Sequence, residues 1–571
     1  MINKINILSL VENLLKLTTV LIFCLFAQPF ASAQNTTPTE EINVFTGFEP
    51  RLAEVEKISS QPVIQDTFRV SSNLEYPIQS AVVETKYQPD TISAVRMKSE
   101  PLSKLHRLYI KAGFGNYLTP YADVNFMSLR NRKNSYAFRF KHFSSQGNIS
   151  YRGNPAVSDN EAFGSYSHVF RSHTLDLNAS YQRNVVRYYN YNPVLDTLVN
   201  EDTARQRYSR VNFDASFYST HRTDSIKFNH KINLDFYHMT DRWGTMENSV
   251  VLSADMNKYT DLFAREFFGG KMRFQYIQYQ NNSVPSTHGF IGNLAPYMRF
   301  GGKWWNLHLG IDLTLGADDS TRFNVYPDVH LRFNIFRNYI IAYAGFTGQY
   351  RRNSFLTLSQ QNPFIMPTVQ LNNMNEFLRI TAGVKGSFTS NLSYNAGVHY
   401  SIIGNYAYFV NDTISFHQRG FQAVYDQTNL FQVFGELSYN LSEKFWLAAK
   451  ANYYLYNTAN LDVAWHRPSV DATLSGYYNL RDKIILRTDF YFIGPQKAQA
   501  FVYDPANPSV KERYTYDIPV LVDFNIGAEY RLTKMLSFWV NFNNVAAWRY
   551  QRWYGLPTQQ FNVIGGLTFG I

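Results

Sequence analysis

Charged side chains recur at alternate positions along much of this chain. Arg139 and Lys141, Arg210 and Asp214, Lys227, Lys231 and Asp235, Lys271 and Arg273, Arg379, Lys385, Arg487 and Asp489 each stand in phase with Asn, Ser or Gln and out of phase with their apolar neighbours. Arg332 and further aspartates, among them Asp123 and Asp255, keep the same phase. Guanidinium and ammonium groups pair with carboxylates and recognise anionic solutes. Two arrangements are open. The charges could form a paired network that fills and stiffens a wall, or they could line a passage whose net positive potential favours anions.

Covalent or metal chemistry has little to draw on. There is no His-Glu-x-x-His, Gly-x-Ser-x-Gly or phosphate-loop pattern. Phe268-Gly-Gly-Lys271 has the wrong spacing for phosphate, and Gly113-Phe-Gly115 reads as close strand packing. His308, His330 and His399 fall on the polar phase of strands, where bonding to neighbours explains them better than metal ligation. The acidic stretches Asp159-Asn-Glu161 and Asp318-Asp-Ser320 lack calcium-loop spacing and read as solvated loops. No enzymatic activity, cofactor or metal is expected. A hydrolase site assembled from distant strands is the most remote alternative.

The elements that carry the charges are strands. From about Leu105 to Ile571 the pattern has period two, as in Val211, Phe213, Ala215 and Phe217 against Arg210, Asn212, Asp214 and Ser216. About 22 such segments of roughly 10 to 13 residues follow one another, the length a tilted strand needs to cross hydrocarbon. Short connections such as 130–134, 220–224, 301–303, 336–338, 479–483 and 531–534 alternate with long ones near 145–161, 185–206, 351–374, 403–427 and 495–515. Soluble strands are half this length and their sheets break into smaller domains. The expected fold is therefore all-β, a transmembrane antiparallel up-and-down barrel with its short turns periplasmic. A charge facing lipid at mid-depth costs about 2 to 4 kcal/mol, so the charged phase is expected to face the lumen.

Composition agrees with this reading. Hydrophobic residues make up 45% and charged residues 17%, yet mean hydropathy is −0.30, because apolar and polar residues interleave. The 41 Tyr and 45 Phe suit strands and interfacial girdles. Residues 1–33, with Lys4, Lys16, the apolar run 17–26 and Ala31-Ser32-Ala33, read as a signal peptide, a retained anchor being the alternative. Its removal would take Cys24, the only cysteine, and leave no thiol chemistry. Residues 34–104 read as a periplasmic segment, partly disordered or a small partial plug. Within it 48–57 looks helical and 80–86 extended. The net charge of +10 is scattered, and for an exported chain nucleic acid is not an expected partner.

The ending, Ser537-Phe-Trp-Val-Asn-Phe-Asn-Asn-Val545 followed by an aromatic loop and Gln560–Ile571, resembles the last two strands of TonB-dependent receptors. The stretch 105–571 resembles the barrel of that family as it occurs in Bacteroidota. The stretch Glu40-Glu41-Ile42-Asn43-Val44-Phe45-Thr46 is similar to the box through which such receptors engage a TonB-like coupling protein. Residues 34–104 are shorter than the family's full plug, the Gly-Arg pair before the last strand is absent, and Ile571 replaces the usual terminal Phe. The resemblance implies solute transport across the outer membrane of a Gram-negative bacterium, receptor-like or porin-like, amid outer-membrane lipids and lipopolysaccharide. The alternative is a structural or assembly role that anchors partner lipoproteins.

Overall fold

Alternation decides the wall before any tertiary contact does. In the strand Arg205–Ser219, Val211 and Phe213 remain 45% and 39% exposed, while Arg210, Asn212 and Asp214 project from the other face. Water-exposed aromatics at that density would be costly, so this outer face is built for lipid. The computed structural model describes residues 105–571 except 148, 192, 194–201, 222–226, 261–264, 283, 319, 413–419 and 504–510. The expected leader 1–33, the segment 34–104 and the stretch 41–46 expected to act as a coupling box lie outside the described residues.

The wall begins with β1 (Leu108–Gly115), β2 (Thr119–Met127), β3 (Asn134–Ser145), β4 (Val157–Val169), β5 (His173–Arg187) and β6 (Arg205–Ser219). It continues through β7 (Phe228–Asp241), β8 (Met246–Thr260), β9 (Arg265–Asn281), β10 (Val284–Gly301), β11 (Trp305–Ala317), β12 (Thr321–Phe336) and β13 (Ile340–Arg351). A short helix, α1 (Phe355–Gln361), precedes β14 (Met374–Ser387), β15 (Leu392–Asn411), β16 (Phe421–Ser442), β17 (Phe445–Thr458), β18 (Val470–Leu480) and β19 (Ile484–Ile493). After the hairpin β20 (Gln496–Tyr503) and β21 (Lys511–Ile518) come β22 (Leu521–Arg531) and β23 (Leu536–Asn543). The miniature pair β24 (Gln551–Trp553) and β25 (Leu556–Pro557) leads into β26 (Asn562–Gly570).

Twenty-two of these strands form one antiparallel sheet in which each pairs with its neighbours in sequence, and β1 pairs with β26 to close it. No edge remains, as hydrocarbon requires. The two glycines of Gly113-Phe-Gly115 sit at this seam. A Cβ on Gly113 would lie 2.5 Å from the Trp539 ring and one on Gly115 would lie 2.4 Å from the Val563 carbonyl, so both positions exist for close approach.

Three expectations need correcting. The wall strands range from 8 residues in β1 to 22 in β16 instead of clustering at 10 to 13. The loop expected at 403–427 is mostly strand, because β15 and β16 continue to Asn411 and back from Phe421. Their upper ends are buried on both faces (Tyr408 and Phe409 are adjacent and enclosed), so the period-two signal disappears there. The acidic stretch at 159–161 lies within β4, where Asp159 accepts from Asn184 and Glu161 from Gln182.

Candidate functional site

The long connections all leave the barrel at one end and the short ones at the other, and the two ends of the interior differ. At the long-loop end the segment 352–373, between β13 and β14, crosses the mouth as a lid. It opens with α1, capped by Ser354, whose hydroxyl accepts from the Thr357 amide at 3.1 Å. The first turn of α1 has no acidic residue of its own. Glu247 at the start of β8 supplies the charge instead, accepting from the amides of Phe355 at 2.7 Å and Leu356 at 3.1 Å, and from the Tyr237 hydroxyl at 2.8 Å. It is wholly buried, which is tolerable because both carboxylate oxygens are bonded.

Tyrosines from around the wall hold the rest of the lid by its carbonyls. Tyr188 donates to Ile365, Tyr208 to Pro363, Tyr279 to Pro367 and Tyr425 to Gln370, at 2.7 to 3.0 Å. Burial pushes the Tyr188 hydroxyl well up from its ordinary range, which keeps it a donor. Below these bonds Phe355, Leu358, Ile365 and Val369 pack against Tyr189, Tyr208, Met239, Phe409, Phe421 and Trp553.

Two further loops, 459–469 and 544–561, pack beside the lid. His466, in the connection 459–469, is 3% exposed and stands 5.3 Å from both the Trp553 and Phe421 ring centres. The Tyr554 amide donates to its Nε2 at 3.4 Å, so the proton resides on Nδ1, which donates to the Phe409 carbonyl at 2.8 Å. Burial pushes this imidazole down to about 4, so it is neutral. Asp426 caps the same connection, accepting from the amides of Asn460 and Leu461 at 2.8 Å.

At the short-turn end the interior opens into a cavity of 880 Å³ whose lining includes Arg299, His308, His330, Arg332, Tyr343 and Lys385. Asp328 holds the two imidazoles, with His308 at 3.0 Å and His330 at 2.9 Å. Arg299 donates to His308 Nδ1 at 3.2 Å, so His308 donates from Nε2 to the carboxylate. Arg332 and Lys385 enter no ion pair within 4.0 Å among the described residues and stay exposed inside the barrel. The cavity therefore carries basic groups on a largely apolar wall, where the mouth is filled by packed and bonded side chains.

No protein-family profile and no curated protein sequence matches the chain. Solved structures do. The iron transporter FrpB from Neisseria meningitidis superposes with a TM-score of 0.62 at 9% identity, over 82% of each chain. The ferripyoverdine receptor of the outer membrane of Pseudomonas aeruginosa gives 0.61 at 13%, covering 82% of this chain and 72% of its own. A mutant of the ferric enterobactin receptor from the same organism gives 0.58 at 12%, covering 81% and 80%. The shared property is the fold.

Arg139, Lys141, Arg210, Asp214, Lys231, Asp235, Lys271, Arg273, Arg379, Lys385, Arg487 and Asp489 all occupy the inward phase of their strands, opposite outward residues such as Phe138, Val211, Phe274 and Leu486. They do not converge on one site. Arg139 pairs with Asp123 at 2.8 Å, Arg379 with Glu376 at 2.7 Å across a bulge in β14, and Asp489 accepts from Ser475 at 2.6 Å. Arg210 donates to Gln182, and Asp214 stands opposite Asp235 in the β6–β7 ladder. Ladder partners run Lys231, Asp255, Lys271 across β7, β8 and β9, alternating in sign. Lys385 faces the cavity. Lys227 departs from expectation: it precedes β7 at the turn end and lies outside the ladder, because pairing starts at Phe228. Asp318, expected in a solvated loop, is bound to Arg352 at 2.7 Å.

Sequence reading missed the lid. Its signal was available in Phe364-Ile-Met-Pro367, preceded by Phe355 and Leu358, a run too apolar for a loop that stays in water.

Proposed function

We propose that the chain moves solutes across the outer membrane of a Gram-negative bacterium, through a lumen sealed at its outer mouth by the 352–373 lid and favouring anions at its periplasmic end. The observation that carries this reading is the lid itself, held chiefly by side-chain bonds to its backbone, with a single backbone bridge between Ile365 and Phe421 and no strand pairing beyond it among the described residues. Such a seal can open while every ladder of the wall stays intact. The fold shared with an iron transporter and with receptors for ferric enterobactin and ferripyoverdine supports a receptor-type transporter over a plain pore. On this reading residues 1–33 are the leader, 34–104 the periplasmic segment, and Glu41–Thr46 the contact for a TonB-like partner, in a protein of Bacteroidota type.

The test is conductance of the purified chain in planar bilayers, with and without residues 34–104, for the native sequence and for Glu247→Ala. Release of the lid should raise conductance severalfold and favour anions. Silence in all four preparations would overturn transport and leave the anchoring role.

A further inference from the structure

The outer face of β3 to β7 carries a feature that transport does not use. Along one unbroken line of ladder partners, Phe140, Ala162, Tyr181 and Val211 face outward. One step nearer the long loops the outward line becomes His142, Asn160, Arg183, Ser209 and Thr240. Beyond it Arg207 stands opposite Val185, and Arg205 opposite Arg187. Arg183, Arg187, Arg207 and Arg242 all lie within electrostatic reach of Arg205. Asp202 lies 3.7 Å from Arg242.

Immediately below the arginines the lipid-facing surface is grooved. Two adjoining hollows of 570 and 510 Å³ share Phe138, Gly164 and Ala179 as lining, with aromatic ridges of Phe140 and Tyr181 on one side and Tyr136 and Phe213 on the other. The small residues make the grooves: a Cβ on Gly164 would already touch the Phe138 ring at 3.4 Å. Trp243, 37% exposed beside Arg242, adds an amphipathic ring of the kind that settles at headgroup level.

We propose that this face binds a phosphorylated, multiply acylated lipid of the outer leaflet, its phosphates on Arg183, Arg205, Arg207 and Arg242 and its acyl chains in the two grooves. Clustered guanidinium groups repel one another until an anion with several oxygens bridges them, and phosphate matches their forked donors. A soluble anion would have no use for the grooves, and a neutral lipid none for the arginines. An anionic amphiphile uses both. The inference rests on the long loops facing the outer leaflet and is independent of whether the lumen conducts.

The experiment is retention of lipid by the purified full-length barrel in mild detergent, read by native mass spectrometry. The probes are bisphosphorylated lipid A, its deacylated sugar phosphate, inorganic phosphate and phosphatidylethanolamine. Lipid A should be retained at least tenfold better than the other three. Arg183→Gln combined with Arg205→Gln and Arg207→Gln should abolish that preference, while Arg132→Gln with Arg171→Gln and Lys534→Gln at the turn end should leave it unchanged. Gly164→Leu, which fills the grooves, should weaken lipid A binding and spare the weak binding of the sugar phosphate. Should the triple variant fail to fold, the native barrel still decides: its preference for lipid A must fall as salt is raised. Equal retention of deacylated phosphate or of phosphatidylethanolamine, equal loss in the turn-end variant, or no salt dependence would each overturn the proposal.

Discussion

The two ends of the barrel interior are built by the same alternating strands and reach opposite outcomes. At the long-loop end the inward positions of β6 to β9 hold Tyr208, Met239, Glu247 and Tyr279, buried against the lid. At the short-turn end the inward positions of β10 to β14 hold Arg299, His308, Arg332 and Lys385, around open space. Period two chooses the face but not what fills it. A mixture of aromatic bulk and hydroxyl donors can close over a polypeptide segment, since each buried carbonyl finds a partner. A surplus of one charge sign keeps water and counter-ions inside.

The comparison can be broken most strongly at Glu247. Glu247→Ala strands two amides of α1 and the Tyr237 hydroxyl, and should cost the closed lid about 4 kcal/mol. Limited proteolysis should then cut within 352–373, while the heat-resistant migration of the barrel on gels stays native. Unchanged protection would mean that apolar packing alone seals the mouth.

Acidification should act next most strongly. His466 is held neutral, down to about 4 against an ordinary 6.5, so its stabilising contribution is complete above pH 6.5 and is lost as pH falls toward 4. The full loss amounts to about 3 kcal/mol. Protonation at Nε2 would also cost the bond from the Tyr554 amide. Proteolysis of 352–373 between pH 7 and pH 4.5 should therefore accelerate in the native chain and change less in His466→Gln. Equal acceleration in both would assign the effect to other groups.

A smaller effect is expected from Tyr279→Phe, which removes one hydroxyl from the Pro367 carbonyl and should destabilise the lid by about 1 kcal/mol, visible as a modest rise in hydrogen exchange over 364–370. The smallest concerns the other end. Arg332→Gln with Lys385→Gln should lower the anion-to-cation permeability ratio by about twofold in a lid-released barrel and leave proteolysis of the lid untouched. A shift in lid protection from that pair would show that the two ends are coupled.

Much of the wall was legible before any coordinates. The outward and inward phases of β6, β7 and β9 follow from alternation alone, as does the strand count, because lipid on one side leaves charged residues a single inexpensive face. Legibility failed where that solvent contrast vanished. At Tyr406–Val410 and Phe421–Tyr425 both faces are covered, so strands read as loop. Asp426 falls in a stretch that reads as loop and Glu247 in one with no distinguishing pattern, and nothing local announces that each caps the backbone of a segment far away in sequence. The arginines at 183, 187, 205 and 207 carry no joint signal in the sequence because the stretch between β5 and β6 separates them along the chain.

By itself the sequence determined a closed, amphipathic, antiparallel wall with charges turned from lipid, because periodicity and the cost of charge in hydrocarbon are local properties of a strand. Only the tertiary structure decided that 352–373 packs across the mouth, that the opposite end holds a cavity with basic groups, and that five arginines share one outer face. Those outcomes depend on strands brought side by side by ladder register and barrel closure, and no single stretch of chain carries that information.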